Sequence, residues 1–266
     1  MATVHASEGM HWYTREGVPA YTVKAKDGSD RPATLRDARK LNLVPSVTSV
    51  IRCAATPALE RWKLDQMLHA ALTLPRGSTE SEAEWISRVW TDSRETAKKA
   101  AERGTAIHAA IQSSFEGKDF PVEMHPHVLG ARKAVFGWAI DRSWVAEHSF
   151  AHELGFGGKI DLNEIGFVLD FKTKEFDADT DLKTWDEHAQ QLAAYREGLG
   201  MPQARAAICY VSVTNPGLSR LIEIPEEELQ RGWECFVYLL GYWKAKNRFN
   251  PALQKKAHDP PHRRDS

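Results

Sequence analysis

Between residues 167 and 173 the sequence FVLDFKT alternates, with Phe167, Leu169 and Phe171 on one side of an extended strand and Val168, Asp170 and Lys172 on the other. The first set is apolar and suited to packing on a helix. Upstream, SWVAEHSFAHE and GFGGKIDLNE read as two more strands, the second joined to FVLDFKT by a turn within 163–166. Helical patterning flanks this group. A long Ala-, Glu-, Lys- and Arg-rich helix follows the loop at 75–81 and runs to about Phe115, with Gly104 interrupting it, and HPHVLGARKAVFGWAIDRS gives a second helix to about Asp141. Residues 183–199 return to helix, RAAICYVSV and LSRLIEI read as strands, and Pro225 opens a last amphipathic helix to about Asn247.

The N-terminal stretch is less regular. Residues 9–50 read as β-rich, with HWYT and AYTVKA as strands, and PSVTSVIRC as a short helix. Thr56 as N-cap and Pro57 at the first helical position start a helix to about Leu74. The expected fold class is α/β: helix, three strands, helix, strand, with an antiparallel hairpin at the centre. Three segments follow: an N-terminal β-containing and helical region, 1–90, packed on the core; the core with its C-terminal helix, 91–250; and a flexible tail, 251–266.

Composition narrows the function little. The chain has 266 residues, 42% hydrophobic and 27% charged, as in ordinary soluble domains. Its net charge of −1 means that any nucleic-acid binding must come from a local basic surface. No apolar run is long enough to span a bilayer and no signal-peptide pattern opens the chain, so no membrane partner is expected. Cys53, Cys209 and Cys235 are odd in number and far apart, which points to a reducing, cytoplasmic setting and away from a four-cysteine site.

The candidate chemistry sits on the hairpin. A two- or four-residue turn places Asp161 opposite Val168, on the face of Asp170 and Lys172 and diagonal to Asp170 at about 7–8 Å; an odd turn sends it to the other face. Two carboxylates on one face repel unless a cation lies between them, and Mg²⁺ prefers such oxygen donors. Such a metal serves phosphodiester hydrolysis, and Lys172 can orient or deprotonate the attacking water. An exposed hairpin with an ordinary Asp–Lys pair is the competing reading. Gln191 and Tyr195, four apart on the following helix, share one of its faces, and His108 lies late in the long helix. Trp62, Trp85, Trp90 and Trp138 fall in helices and are expected in the core, while Arg94, Lys98, Lys99 and Arg103 alternate with acids as a solvated face.

Taken in order, RGTAIHAAI, GFGGKIDL, VLDFKTK and QLAAY, spanning residues 103–195, resemble the PD-(D/E)XK nuclease superfamily, in particular its RecB-like and bacteriophage exonuclease branch. The resemblance implies a restriction-endonuclease-like core, a central mixed sheet in αβββαβ order flanked by additional helices. It implies that Asp161 and Asp170 are metal ligands and catalytic together with Lys172. His108 and the carbonyl of Phe171 become further ligands, and Gln191 and Tyr195 support the site or contact DNA. Glu147 and Glu153 take a secondary place. The implied activity is that of a DNA exonuclease using one or two Mg²⁺ or Mn²⁺ ions in phage-type recombination, replication or repair, in a bacterial or phage-infected cell. Its partners would be DNA and a single-strand annealing or recombination protein. A structure-specific or single-strand endonuclease is the alternative, and a non-catalytic DNA-binding relic the third, against which the intact Asp, Asp, Lys set argues. Some RecB-like members hold an iron–sulfur cluster on four cysteines, a set that three scattered ones cannot supply, so no cluster is expected.

Overall fold

The computed structural model describes residues 11–54, 57–140 and 142–253; Thr56, Asp141 and the tail from 254 onward lie outside them. The N-terminal region contributes strands β1 (Trp12–Tyr13), β2 (Thr22–Lys24), β3 (Asp30–Pro32) and β4 (Val44–Pro45), which pair as β1–β4 and β2–β3. Between them lies a helix absent from the expected elements, α1 (Leu35–Leu41). Its signal was present: Thr34 and Asp37 cap each other's backbone N–H groups, and Arg31 grips the Asp37 carboxylate. Helix α2 (Val47–Ile51) follows, and α3 (Pro57–Thr73) turns back onto the long α4 (Glu82–Phe115), capped by Ser81 and Glu84.

Helix α4 runs unbroken through Gly104 and across residue 91, where the expected core begins. The glycine is there for contact rather than for a break. A Cβ at Gly104 would stand 2.7 Å from Thr173 Oγ1, so this glycine lets the helix lie against the sheet. Then come α5 (His125–Trp138), β5 (Val145–His152), β6 (Phe156–Glu164), β7 (Phe167–Lys174), α6 (Asp186–Gly198), β8 (Arg205–Ser212), β9 (Ser219–Glu223) and α7 (Glu226–Asn247).

Strands β5 to β9 form one mixed five-stranded sheet in chain order, antiparallel except for the parallel pair β7–β8 that α6 connects. One face, carrying Phe167, Leu169, Phe171, Cys209 and Val211, buries against Ile107 and Ile111 of α4 and Val128 and Val135 of α5. The other face, with Val168, Ala206 and Ile208, buries against Leu192 of α6 and Phe236, Leu240 and Trp243 of α7. Trp12, Val47 and Val50 extend that second core into the N-terminal region. The protein is thus a mixed α/β structure with helices on both faces of its sheet. Among the described residues no helix is long and apolar enough to cross a membrane. The tryptophans correct one expectation: Trp12 and Trp243 fill the core, whereas Trp62 and Trp90 on α3 and α4 stand 42% and 46% exposed.

Candidate active site

The turn between β6 and β7 is two residues, Ile165 and Gly166, with Gly166 at φ 81°. Its register pairs Leu162 with Leu169 and Asn163 with Val168, so Asp161 comes into line with Asp170 itself, two residues from the expected partner Val168 and opposite rather than diagonal to Asp170. Parity also fails as a guide here. Ile160 packs in the α6-side core and Leu162 in the α4-side core, although residues two apart on a regular strand share a face. Strand β5 reverses at the same level, Ala146 packing with the α4-side cluster and Phe150 with the other. The reversal is centred on Glu147, a non-glycine residue at φ 57°, and on Asp161, where the β5–β6 ladder skips a pair. Left-handed backbone costs such a residue about 1–3 kcal/mol.

Beyond Leu169, β7 therefore leaves β6 and pairs only with β8. In the fork so opened, the Asp161 carboxylate accepts the Phe171 N–H at 2.7 Å and lies 3.6 Å from His108 Nδ1 of α4. Deeper in, Lys172 Nζ sits 2.7 Å from Asp170 Oδ2 and donates to Gln191 Oε1 at 3.2 Å. Gln191 Nε2 donates to Asp170 Oδ1 at 2.7 Å and lies 2.9 Å from Tyr195 Oη. His108, Asp161, Asp170, Lys172, Gln191 and Tyr195 are thus brought into one connected cluster. Side-chain exposure grades from 5% at Asp170 through 20% at Asp161 to 32% at Lys172 and 35% at His108, so the cluster opens on the His108 and Lys172 side. The surface cleft at the α3–α4 turn, lined by Leu74, Arg88 and Thr91, contains none of these residues.

Burial first, and then the charge of Asp170, push the Asp161 carboxyl well above the usual carboxylate range. Burial works against the Lys172 ammonium, but Asp170 overcomes it and holds the lysine above its ordinary value. His108 is lowered, chiefly by burial, and is neutral at pH 7, the form that binds metals. Burial likewise drives Tyr195 well up, so it stays a neutral phenol.

Among the described residues no three His, Cys, Asp or Glu side chains converge as a ready-made cage. The donor set nevertheless fits a hard ion that keeps part of its water shell. It offers the two carboxylates of Asp161 and Asp170, the first with its proton affinity raised by burial and by the second, and a neutral imidazole beside them. Asp170 Oδ2, close as Lys172 lies, makes no hydrogen bond of good geometry.

Two neighbours escaped the sequence reading. His188, one turn before Gln191, is buried and accepts the Trp185 N–H on Nδ1, capping α6; burial and then Lys172 lower it to about 4. Spacing from Gln191 was its only signal. Lys159, two residues before Asp161, pairs with Glu147. Glu153, in the turn between β5 and β6, joins no contact of the cluster.

No family model matches the chain, and no curated protein does. Similar solved structures include a "Putative exonuclease" from Eubacterium rectale, at 14% identity over 60% of this chain and 76% of that one, with a TM-score of 0.41. The protein SSO0001 aligns at 16% identity over 68% of this chain and 86% of its own, with a TM-score of 0.28. Likenesses at these scores carry no functional argument, and the reading rests on the site itself.

Proposed function

We propose that the protein is a divalent-metal-dependent DNA nuclease of the PD-(D/E)XK kind, acting as an exonuclease. The observation that carries this reading is the fork between β6 and β7, where the Asp161 and Asp170 carboxylates stand together beside an ammonium and a neutral imidazole. On this reading the αβββαβ core would be drawn from α4 or α5 together with β5, β6, β7, α6 and β8.

Asp161, Asp170 and His108 would hold the metal. When bound, Mg²⁺ or Mn²⁺ supplies water activation and charge neutralisation at the phosphate. Lys172, kept protonated by Asp170, acts from Nζ as a donor that orients the water and offsets charge growing on the phosphoryl oxygens. Gln191 fixes both partners, holding the Asp170 carboxylate with its amide N–H and the lysine with its carbonyl. Tyr195 sets the orientation of that amide. On this reading DNA is the partner, with a single-strand annealing or recombination protein alongside in the pathway.

The test is digestion of end-labelled single- and double-stranded DNA and of a closed circle, with Mg²⁺, with Mn²⁺ and with chelator. Metal-dependent loss of linear DNA with the circle left intact is expected. Cutting of the circle would replace the exonuclease by an endonuclease. Undiminished activity in pure Asp170→Ala protein would overturn the site.

A further inference from the structure

Glu147 and Lys159 form an ion pair that the chemistry above does not use. It lies beside the site, not apart from it: Glu147 and Asp161 stand at the position where the β5–β6 ladder skips a pair, and Lys159 is two residues before that aspartate. Three observations make it more than surface decoration. The backbone of Glu147 is held in the left-handed region in the middle of a strand, at a cost greater than an exposed ion pair returns. The Glu147 Oε2 atom touches the ammonium, yet is buried without a hydrogen bond of good geometry. Lys159 keeps 36% of its side-chain surface and lies within electrostatic reach of both Asp161 and Tyr21.

Two lysines thus flank Asp161. Lys172 is committed to Asp170 and Gln191, whereas among the described residues Lys159 has Glu147 as its one ion-pair partner and keeps about a third of its side chain exposed. An ammonium carries three N–H donors, so one can rest on Glu147 while the others face an incoming anion. We propose that Lys159 anchors a DNA phosphate adjoining the one that is cut, and that Glu147 is the positioning residue that aims it. The inference rests on the nuclease reading and names the part of its substrate that this corner of the site receives.

Binding of labelled single- and double-stranded oligonucleotides to the full chain, followed by fluorescence anisotropy in chelator across a salt series, tests this without any cleavage. Lys159→Met is expected to weaken binding about tenfold and to lower the salt slope by roughly 0.7–0.9, the share of one phosphate contact. Lys159→Arg should keep both. With Mg²⁺ present, Lys159→Met should raise KM while kcat stays within about threefold. The double variant Glu147→Gln, Lys159→Met decides between anchor and counter-ion, and it still reports if the single change strands a buried carboxylate and unfolds the chain. If Lys159 only neutralises Glu147, removing both restores wild-type affinity and slope, and the proposal is wrong. If Lys159 is the anchor, the double variant binds as weakly as Lys159→Met. Wild-type protein that binds DNA but cuts none with either metal would overturn the nuclease reading, while the same comparison still decides the role of Lys159.

Discussion

The two strands of the central hairpin are opposites. Strand β7 pairs with β8 residue for residue over its whole length and alternates its faces without fault. Strand β6 loses a pair with β5 at Asp161, loses β7 from the same point, and changes faces there. Of the residues proposed for chemistry, the regular strand carries Asp170 and Lys172, and the irregular one carries Asp161. The difference teaches how a sheet makes room for a polar cluster: one strand stays fixed as a reference, and its neighbour distorts to open a fork beside it.

Changes on the β7 side should strike chemistry, and changes on the β6 side should trade chemistry against stability. The largest effect is expected from Asp170→Ala, a loss of about 10²–10³-fold in kcat in single-turnover assays. Its melting temperature should fall as well, because the change strands the Lys172 ammonium and the Gln191 amide, an effect only partly offset by removing the charge that burdens Asp161. A lower melting temperature together with normal kcat would reverse the assignment.

Next comes His188, on the helix above β7. Its pKa is depressed from 6.5 to about 4, so its contribution to stability is complete above pH 6.5 and is lost as pH falls toward 4. The loss amounts to about 3 kcal/mol at most. Denaturant melts at pH 7 and pH 4.5 should show it, and His188→Gln should flatten the difference.

On β6, a Cβ at Gly158 would lie 2.8 Å from the Phe150 ring and 2.9 Å from the Tyr195 ring. Gly158→Ala should therefore cost about 1–3 kcal/mol in a thermal melt and lower kcat by displacing Tyr195. Full activity would mean that Tyr195 has no part in holding Gln191.

The smallest expected change in stability belongs to Asp161→Asn. Because its folded-state pKa is raised, Asp161 favours the fold below its ordinary value of 3.8, and that contribution is lost as pH rises through the raised pKa. Metal-free Asp161→Asn should thus be more stable than wild type at neutral pH in a thermal melt. It should also lack the stabilisation that Mg²⁺ gives wild type in differential scanning fluorimetry. Equal Mg²⁺ stabilisation in both proteins would remove Asp161 from the metal site.

Regularity also decided what the sequence made legible. The alternation at 167–173, the cap at Ser81 and the start of the last helix after Pro225 are local signals, and the structure has the corresponding elements at those places. The parallel β7–β8 pairing is suggested by the strand, helix, strand order around α6, but its register depends on contacts far apart in the chain. The reversal at Glu147 was hidden for a sharper reason. Glutamate has no preference for left-handed backbone, so propensity points away from what the surrounding strands impose. Helix α1 was readable from Thr34 and Asp37 and was missed among short β segments. The exposure of Trp90 was not readable, since helical spacing alone does not say which face meets a neighbour.

The parallel pairing of β7 with β8 has a consequence for synthesis. All six clustered residues, from His108 to Tyr195, leave the ribosome before Arg205, the first residue of β8. Until that strand emerges and threads beside it, the segment bearing Asp170 and Lys172 has no neighbour to straighten it beyond Leu169. A nascent chain halted at residue 200 carries every residue of the cluster and not yet the strand that holds two of them in line.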